Sequence, residues 1–205
     1  MDDWETGVYI HEIINQCEAV ELAVNGFNSA LQANSSGSVP LAFANVQSIL
    51  AASAMLSKLL WPQPSARDRD GNRLTGEAEQ QRLRTVQRGR SLRTLLIVGS
   101  DNTQPLEDNR TVRNSFEHFD ERLDAFIYME SQGSRNIVDR NIVPLGAIVM
   151  NGSEPKHLRR IDPQTVSVSV LDDKVDLQPL VNLVQAVKSR ATSWLENHRF
   201  PERGR

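Results

Sequence analysis

The chain has 205 residues, of which 39% are hydrophobic and 24% are charged, as expected for one globular domain or a domain with a small appendage. The formal net charge of −3 at pH 7 argues against a broadly basic coat for nucleic acid. No apolar run approaches a membrane span, the acidic start lacks the positive charge of a signal peptide, and the single cysteine, Cys17, excludes a disulfide framework within the chain. We therefore expect a cytoplasmic protein with no membrane partner and an inert thiol in its core.

The first 130 residues carry the apolar spacing of helices. One helix is expected over residues 8–31, and a second begins at Ser38, with Pro40 just inside its start, and ends near Trp61. A third is capped by Thr75 and runs to about residue 97. A fourth runs from residue 105 or 108 to residue 130. Four helices joined in this way predict an up-down bundle.

Beyond residue 133 the pattern becomes β-branched and alternating. Residues 158–161 and 166–171 flank the turn Asp162-Pro-Gln-Thr165 and are expected to form a short hairpin. A final helix begins at Asp176. The predicted fold class is mainly α: an up-down four-helix bundle, then a C-terminal small β-hairpin or meander and a final helix, which form an α+β appendage. The predicted boundaries are 1–132 for the bundle and 133–205 for the appendage, packed on the bundle.

The segment from Thr111 to Asp124 predicts one helix with two distinct faces. At about 100° per residue, the apolar residues fall in a stripe roughly 100° wide, as in a helix that faces a core. That stripe holds Val112, Phe116, Phe119, Leu123, Phe126 and Ile127. The opposite face holds Arg113, Asn114, Glu117, His118 and Glu121. At a symmetric interface, this face would place an arginine and a histidine against their copies.

Arginine outnumbers lysine by 19 to 4, and five arginines fall within residues 82–93. The planar guanidinium suits phosphate and carboxylate groups better than the ammonium of lysine does. Two interpretations stay open for this cluster: a solvated helix face that pairs with acidic helices, or a cationic surface for phosphate.

Several familiar catalytic motifs are absent from the sequence. There is no Gly-rich phosphate loop with a lysine, no HExxH and no nucleophile elbow. His11, His157 and His198 lack the spacing of metal ligands. The sequence therefore predicts neither a metal site nor a cofactor.

The segment Arg113-Asn-Ser-Phe-Glu-His118 resembles the motif of the HEPN superfamily, in which an arginine, usually followed by a polar residue, precedes a histidine by four to six positions. The resemblance covers roughly residues 5–130. It implies a metal-independent endoribonuclease whose active site forms when two protomers pair their motif helices. Many members are toxins or defence nucleases encoded beside a nucleotidyltransferase-type antitoxin. RNA, a second copy of the chain and an antitoxin protein are thus the expected partners.

The resemblance also assigns roles to residues. Arg113, Asn114 and His118 would be catalytic. The histidine would act as general base or acid, and the arginine would bind the phosphate oxygens. The asparagine would orient the imidazole or bind phosphate. Glu117 and Glu121 would support the site, although both add negative charge near RNA. The candidate RNA-binding residues, which would attract the backbone by charge, are Arg90, Arg93, Arg110 and Arg122.

Other interpretations of the same residues stay open. In a structural one, Arg113 pairs with Glu117, and His118 lies near Arg122, at helical spacing. The chain would then be a non-catalytic interaction protein, or an RNA- or nucleotide-binding sensor without turnover. Residues 134–198 exceed a minimal member of the family, and an appendage covering the motif helix would prevent the expected dimer.

Overall fold

Helices dominate the fold, and short strands occupy part of its C-terminal third. The computed structural model describes residues 1–33, 35, 37–99, 104–130, 136–150 and 152–198. The helices in these ranges are α1 (Asp3–Ala33), α2 (Ser38–Leu60), α3 (Gly76–Leu95), α4 (Gln104–Glu117), α5 (Phe119–Glu130) and α6 (Leu177–Asn197). The strands are β1 (Ile137–Val138), β2 (Asn141–Ile142), β3 (Lys156–His157), β4 (Arg159–Asp162), β5 (Ser167–Val170) and β6 (Asp173–Asp176).

The hairpin of α1 and α2 forms the centre of the core, and its helical spacing was correctly predicted. Its fully buried side chains include Ile10, Ile13, Cys17, Val46, Ile49 and Leu56. Burial raises the pKa of the Cys17 thiol to about 12, as for the inert core thiol expected from the sequence. α6 packs along α1 and α4 packs against α2. An ion pair of 2.5 Å joins Lys188 Nζ of α6 to Glu21 Oε2 of α1.

α3 borders this core rather than lying within it. Of the residues in α3, only Gly89 and Leu92 are buried. Gly89 permits the close approach, because a Cβ there would lie 2.3 Å from Cδ of Pro62 and 2.9 Å from the carbonyl oxygen of Leu60. The helix therefore docks on the end of α2 through its C-terminal half.

By length and composition, α2 could cross a membrane, although polar residues interrupt its apolar sequence. Half of its most apolar window is buried inside the protein. The core helix of a soluble protein can have the same length and composition, so this property does not place the chain in a membrane.

The single helix predicted around the motif is instead two helices, α4 and α5, with His118 between them. Backbone bonds continue across the junction: the N–H of His118 donates to the carbonyl of Asn114 at 2.9 Å, and that of Arg122 to the carbonyl of His118 at 3.1 Å. No proline or glycine marks the break. The predicted apolar stripe is correct at Val112, which is buried, and wrong at Ile127, which is 54% exposed.

The predicted hairpin is confirmed by β4 and β5, which pair antiparallel with Asp162 opposite Ser167. β6 continues this sheet antiparallel to β5, and β2 joins β4 in parallel, while β1 and β3 form a separate parallel pair. Ile161, Val168 and Val175 of the sheet share one hydrophobic core with the helices. The predicted boundary at 132/133 lies outside the described residues.

Asp162 fixes the turn between β4 and β5. Its carboxylate accepts backbone N–H bonds from Gln164 at 2.9 Å, Thr165 at 3.2 Å and Leu145 at 3.3 Å. Burial alone would raise the pKa of this carboxyl, but the three N–H donors and nearby Arg160 outweigh it and lower the pKa below its usual value. The ionised carboxylate of Asp162 therefore holds the turn.

Candidate active site

α4 carries the motif between two different neighbours, α2 on one side and the strands β5 and β6 on the other. Leu106 and Val112 belong to the hydrophobic core. Asn109 is fully buried, and its Nδ2 donates to the carbonyl of Leu50 at 3.2 Å. Ser115, in the middle of the motif, is also fully buried. These contacts fix the rotation of α4 and so determine which motif residues face solvent.

One carboxylate from β6 holds both helices beside His118. The Ser115 hydroxyl of α4 donates to Oδ2 of Asp173, and Nη1 of Arg122 in α5 donates to the same oxygen at 2.6 Å. A single side chain of the sheet thus connects the last turn of α4 to the first turn of α5. Sequence reasoning missed Asp173, because no sequence pattern connects it to a segment 50 residues away.

The polar face of the motif stays open. Nη2 of Arg113 donates to Oε1 of Glu117 at 2.5 Å, as the helical spacing predicted, and the Arg113 side chain is 23% exposed. His118 is 60% exposed, with Nδ1 at 3.7 Å from Oε1 of Glu121. Asn114 is exposed as well. The sheet covers Ser115 and leaves these side chains accessible to a substrate or to a second chain.

The four arginines predicted to bind RNA have different environments. Arg90 is exposed. Nη1 of Arg93 donates to the Leu60 carbonyl, and its guanidinium carbon lies 5.5 Å from the centroid of the Trp61 ring. Burial and the charge of Arg90 lower the pKa of Arg93. Arg110 is half-buried, and Arg122 is held by Asp173, so Arg90 is the most available of the four.

Two small cavities lie along α2, and Arg113 lines one of them. The first has a volume of about 180 Å³ and is lined by Arg113, Phe116 and Glu117 together with Gln47, Leu50 and Ala51 of α2. The second, of about 120 Å³, is lined by Pro40, Phe43, Ala44, Gln47, Phe116, Arg140 and Arg159. Gln47 and Phe116 border both cavities, which therefore lie side by side.

Arg140 and Arg159 of the β-rich region were not singled out by the sequence. Nε of Arg159 donates to Oδ1 of Asp139 at 2.8 Å, and its guanidinium carbon lies 4.2 Å from the centroid of the Phe119 ring. Burial would raise the pKa of Asp139, but the Arg159 bonds outweigh burial and lower it. Nε of Arg140 lies 3.8 Å from Oδ2 of Asp139. Only tertiary packing brings these residues to the motif helix.

Among the residues that the structure describes, no group of three or more His, Cys, Asp and Glu side chains is placed to hold a metal ion. The chemistry available at the motif is that of an imidazole, a guanidinium, an amide and two carboxylates. Comparisons with protein-family models, with curated proteins and with solved structures find no match for this chain. The function is therefore inferred from the chain's own residues.

Proposed function

We propose that this chain is a metal-independent endoribonuclease of HEPN type that acts in the cytoplasm as a toxin or defence protein. The observation that carries the proposal is the open polar face of α4 and α5. There Arg113 is held by Glu117 beside a cavity, and His118 is exposed one turn after Asn114. The helix that carries the motif is thus fixed by the buried contacts of Asn109 and Ser115, and its polar side chains stay accessible, as a catalytic constellation requires.

The proposed architecture is an up-down four-helix bundle of α1, α2, α3 and the α4–α5 pair, with the sheet and α6 appended. The contacts of α2 with α1, α3 and α4 support it. α3 enters this arrangement only through its C-terminal half, around Gly89 and Leu92.

In the proposed reaction, the RNA 2′-hydroxyl attacks the adjacent phosphorus. His118 of one protomer accepts the hydroxyl proton, and His118 of the partner donates a proton to the 5′-oxygen that leaves. The P–O2′ bond forms and the P–O5′ bond breaks, which yields a 2′,3′-cyclic phosphate and a 5′-hydroxyl. Arg113 stabilises the negative charge on the non-bridging oxygens. Glu117 orients Arg113, while Asn114 contacts the imidazole or the phosphate.

This mechanism requires a homodimer, and the surface of α5 supports one. Tyr128 is 84% exposed and follows Glu121 by seven residues, so the two lie on the same helix face. Ile127 is 54% exposed beside it. An aromatic and an aliphatic residue next to a polar site are suitable anchors for a second copy.

The test is cleavage of mixed cellular RNA in EDTA by the wild type, Arg113→Ala and His118→Ala, with His11→Ala of α1 as the matched histidine control. We expect the wild type and His11→Ala to leave cyclic-phosphate ends. His118→Ala should cleave about 10²–10⁴-fold more slowly, as is typical when a general acid–base group is lost. The helical circular dichroism of each variant should be unchanged. Undiminished cleavage by folded His118→Ala would contradict the proposal.

A second candidate function is RNA or nucleotide binding without turnover. The observation that favours it is a cleft of about 770 Å³ between the start of α1 and α3, lined by Tyr9, Arg84, Arg88 and Arg90 among others. The guanidinium of Arg88 lies 5.1 Å from the centroid of the Tyr9 ring. Affinity with a steep salt dependence but no products from any RNA would single out this function.

A further inference from the structure

Two adjoining cavities lie along one face of α2, between that helix, α4 and the β-rich region, and share Gln47 and Phe116 in their walls. We call the pair the α2–α4 groove. The α2 residues that line it recur at helical spacing: Pro40, Phe43, Ala44, Gln47, Leu50 and Ala51. At about 1.5 Å per residue, this face is roughly 16 Å long. One end holds the catalytic candidate Arg113, and the other holds Arg140 and Arg159.

The charges along the groove do not cancel. Arg113 is paired with Glu117, and Arg159 with Asp139. Arg140 is the third guanidinium; its Nε lies 3.8 Å from Oδ2 of Asp139, which already accepts a bond from Arg159. Counted over these described residues, the groove has one excess positive charge at the end distant from Arg113.

The backbone of Arg140 is strained where it enters the groove. Its φ is +51°, in the left-handed region that a residue with a Cβ rarely adopts. Strain of this kind persists where surrounding structure enforces it and is concentrated at ligand sites. Here the parallel pairing of Asn141 with Arg160 begins at the next residue. The Arg140 side chain is nonetheless 54% exposed and so accessible to a ligand.

We infer that the α2–α4 groove binds the phosphodiester backbone of single-stranded RNA, with Arg140 contacting a phosphate to one side of the scissile phosphate at Arg113. The inference rests on the proposed function and gives it a substrate path. Arginine is suited to phosphate, the Gln47 amide lies between the two ends, and the Phe116 ring offers an apolar wall to a ribose or base. Single strands are bound along charged grooves that follow the backbone, whereas duplex RNA is recognised across wide minor grooves.

The binding test uses the full chain carrying His118→Ala, so that RNA is retained. Fluorescence anisotropy of a labelled 12-nucleotide RNA of mixed sequence is measured with and without Arg140→Gln. The matched control is Arg69→Gln, an exposed position that lines neither cavity and carries the same charge change. We expect Arg140→Gln to weaken binding about fivefold to tenfold and to reduce the salt slope by about one. Arg140→Lys should restore part of the affinity, and Arg69→Gln should stay within about twofold.

In the active protein, Arg140→Gln should raise KM and leave kcat unchanged, because a contact distant from the reacting atoms binds substrate and transition state equally. Equal affinity with and without Arg140→Gln, or an equal loss in Arg69→Gln, would overturn the inference. The two proposals fail separately. If the wild type cleaves RNA and Arg140→Gln changes neither KM nor binding, the groove inference is wrong and the nuclease proposal stands. If binding depends on Arg140 but the protein with His118 intact cleaves no RNA, the groove inference is supported and the nuclease proposal is wrong.

Discussion

α3 and α4 are both polar helices that carry arginine, yet the protein holds them in opposite ways. α3 touches the core along one edge, and its arginines mainly face solvent or neighbouring carboxylates, as in the 2.7 Å pair of Arg82 with Glu79. α4 is enclosed on two sides and buries even Asn109 and Ser115 against named partners. An arginine-rich composition therefore does not locate a site by itself. The helix that is packed on two sides, α4, is the one whose side chains have a fixed geometry.

The difference has a functional consequence. A catalytic group must be held within fractions of an ångström, which requires support from neighbouring side chains. α4 has that support through Asp173 and Leu50, whereas α3 lacks it over its N-terminal half. α3 therefore suits long-range attraction of a charged ligand, and α4 suits chemistry.

The largest expected effect comes from removing the carboxylate that encloses α4. Asp173→Ala leaves the buried Ser115 hydroxyl and the Arg122 guanidinium without this partner, and such losses typically cost about 1–3 kcal/mol. We expect a lower urea midpoint and an increase in hydrogen exchange across the α4–α5 junction. Lys174→Ala, at an exposed neighbouring position, is the control and should change stability by less than about 0.5 kcal/mol. Equal stability of the two variants would mean that β6 does not hold the motif.

Gly89→Ala tests the single edge by which α3 docks. The added methyl group overlaps Pro62 and the Leu60 carbonyl, and overpacking of this kind costs about 1–3 kcal/mol, partly offset by the better helix propensity of alanine. Urea unfolding should show a net loss of about 1–2 kcal/mol. The control is Gly37→Ala, where nothing lies within 4 Å and φ is −85°. A Gly89→Ala protein as stable as Gly37→Ala would contradict the close docking of α3.

Local patterns predicted the helices well because periodicity is a property of neighbouring residues. The predicted cap was wrong in one respect: Thr75 lies at the N-cap of α3 but makes no side-chain capping bond. The start of α2 at Ser38, the turn at Asp162 and the start of α6 after Asp176 all agree with the sequence. The β6 strand was missed, since Asp173-Lys-Val-Asp176 has too little apolar alternation. The break at His118 was missed because no helix-breaking residue marks it.

The candidate site divides in the same way. The Arg113–Glu117 pair follows from i,i+4 spacing and was predictable. The pairing of Arg122 with Asp173, rather than its proximity to His118, depends on how the sheet packs, as does the position of Arg140. Contacts between residues distant in the sequence are set by tertiary packing. Residue spacing and periodicity in one sequence do not predict them.

A smaller effect is expected from acid, acting through the turn that supports the sheet. The folded-state pKa of Asp162 is lowered, so its contribution to stability is present above the unfolded-state pKa of about 3.9 and is lost as the pH falls through the folded value. Asp162→Asn should therefore be destabilised relative to the wild type at pH 7, and the difference should narrow below about pH 4. Urea midpoints at pH 7, 4 and 3 measure it, with the exposed Asp120→Asn of α5 as control. A pH-independent difference would show that the charge of Asp162 is not what stabilises the turn.

The smallest effect on stability, with a large expected effect on activity, belongs to Arg113→Ala. Its pair with Glu117 is a partly exposed i,i+4 contact, worth only about 0.2–0.5 kcal/mol, so the urea midpoint should hardly move. In the proposed reaction its guanidinium stabilises the charged phosphate, so RNA cleavage should fall by about 10²-fold or more. Glu117→Gln is the matched variant, since it weakens the pair but leaves the cation, and it should keep most of the cleavage. Because the two variants break the same ion pair, equal stability with unequal activity would assign Arg113 to the chemistry. A stability loss above about 1.5 kcal/mol in Arg113→Ala, far above the range for such pairs, would instead assign it to the packing of α4 against α2.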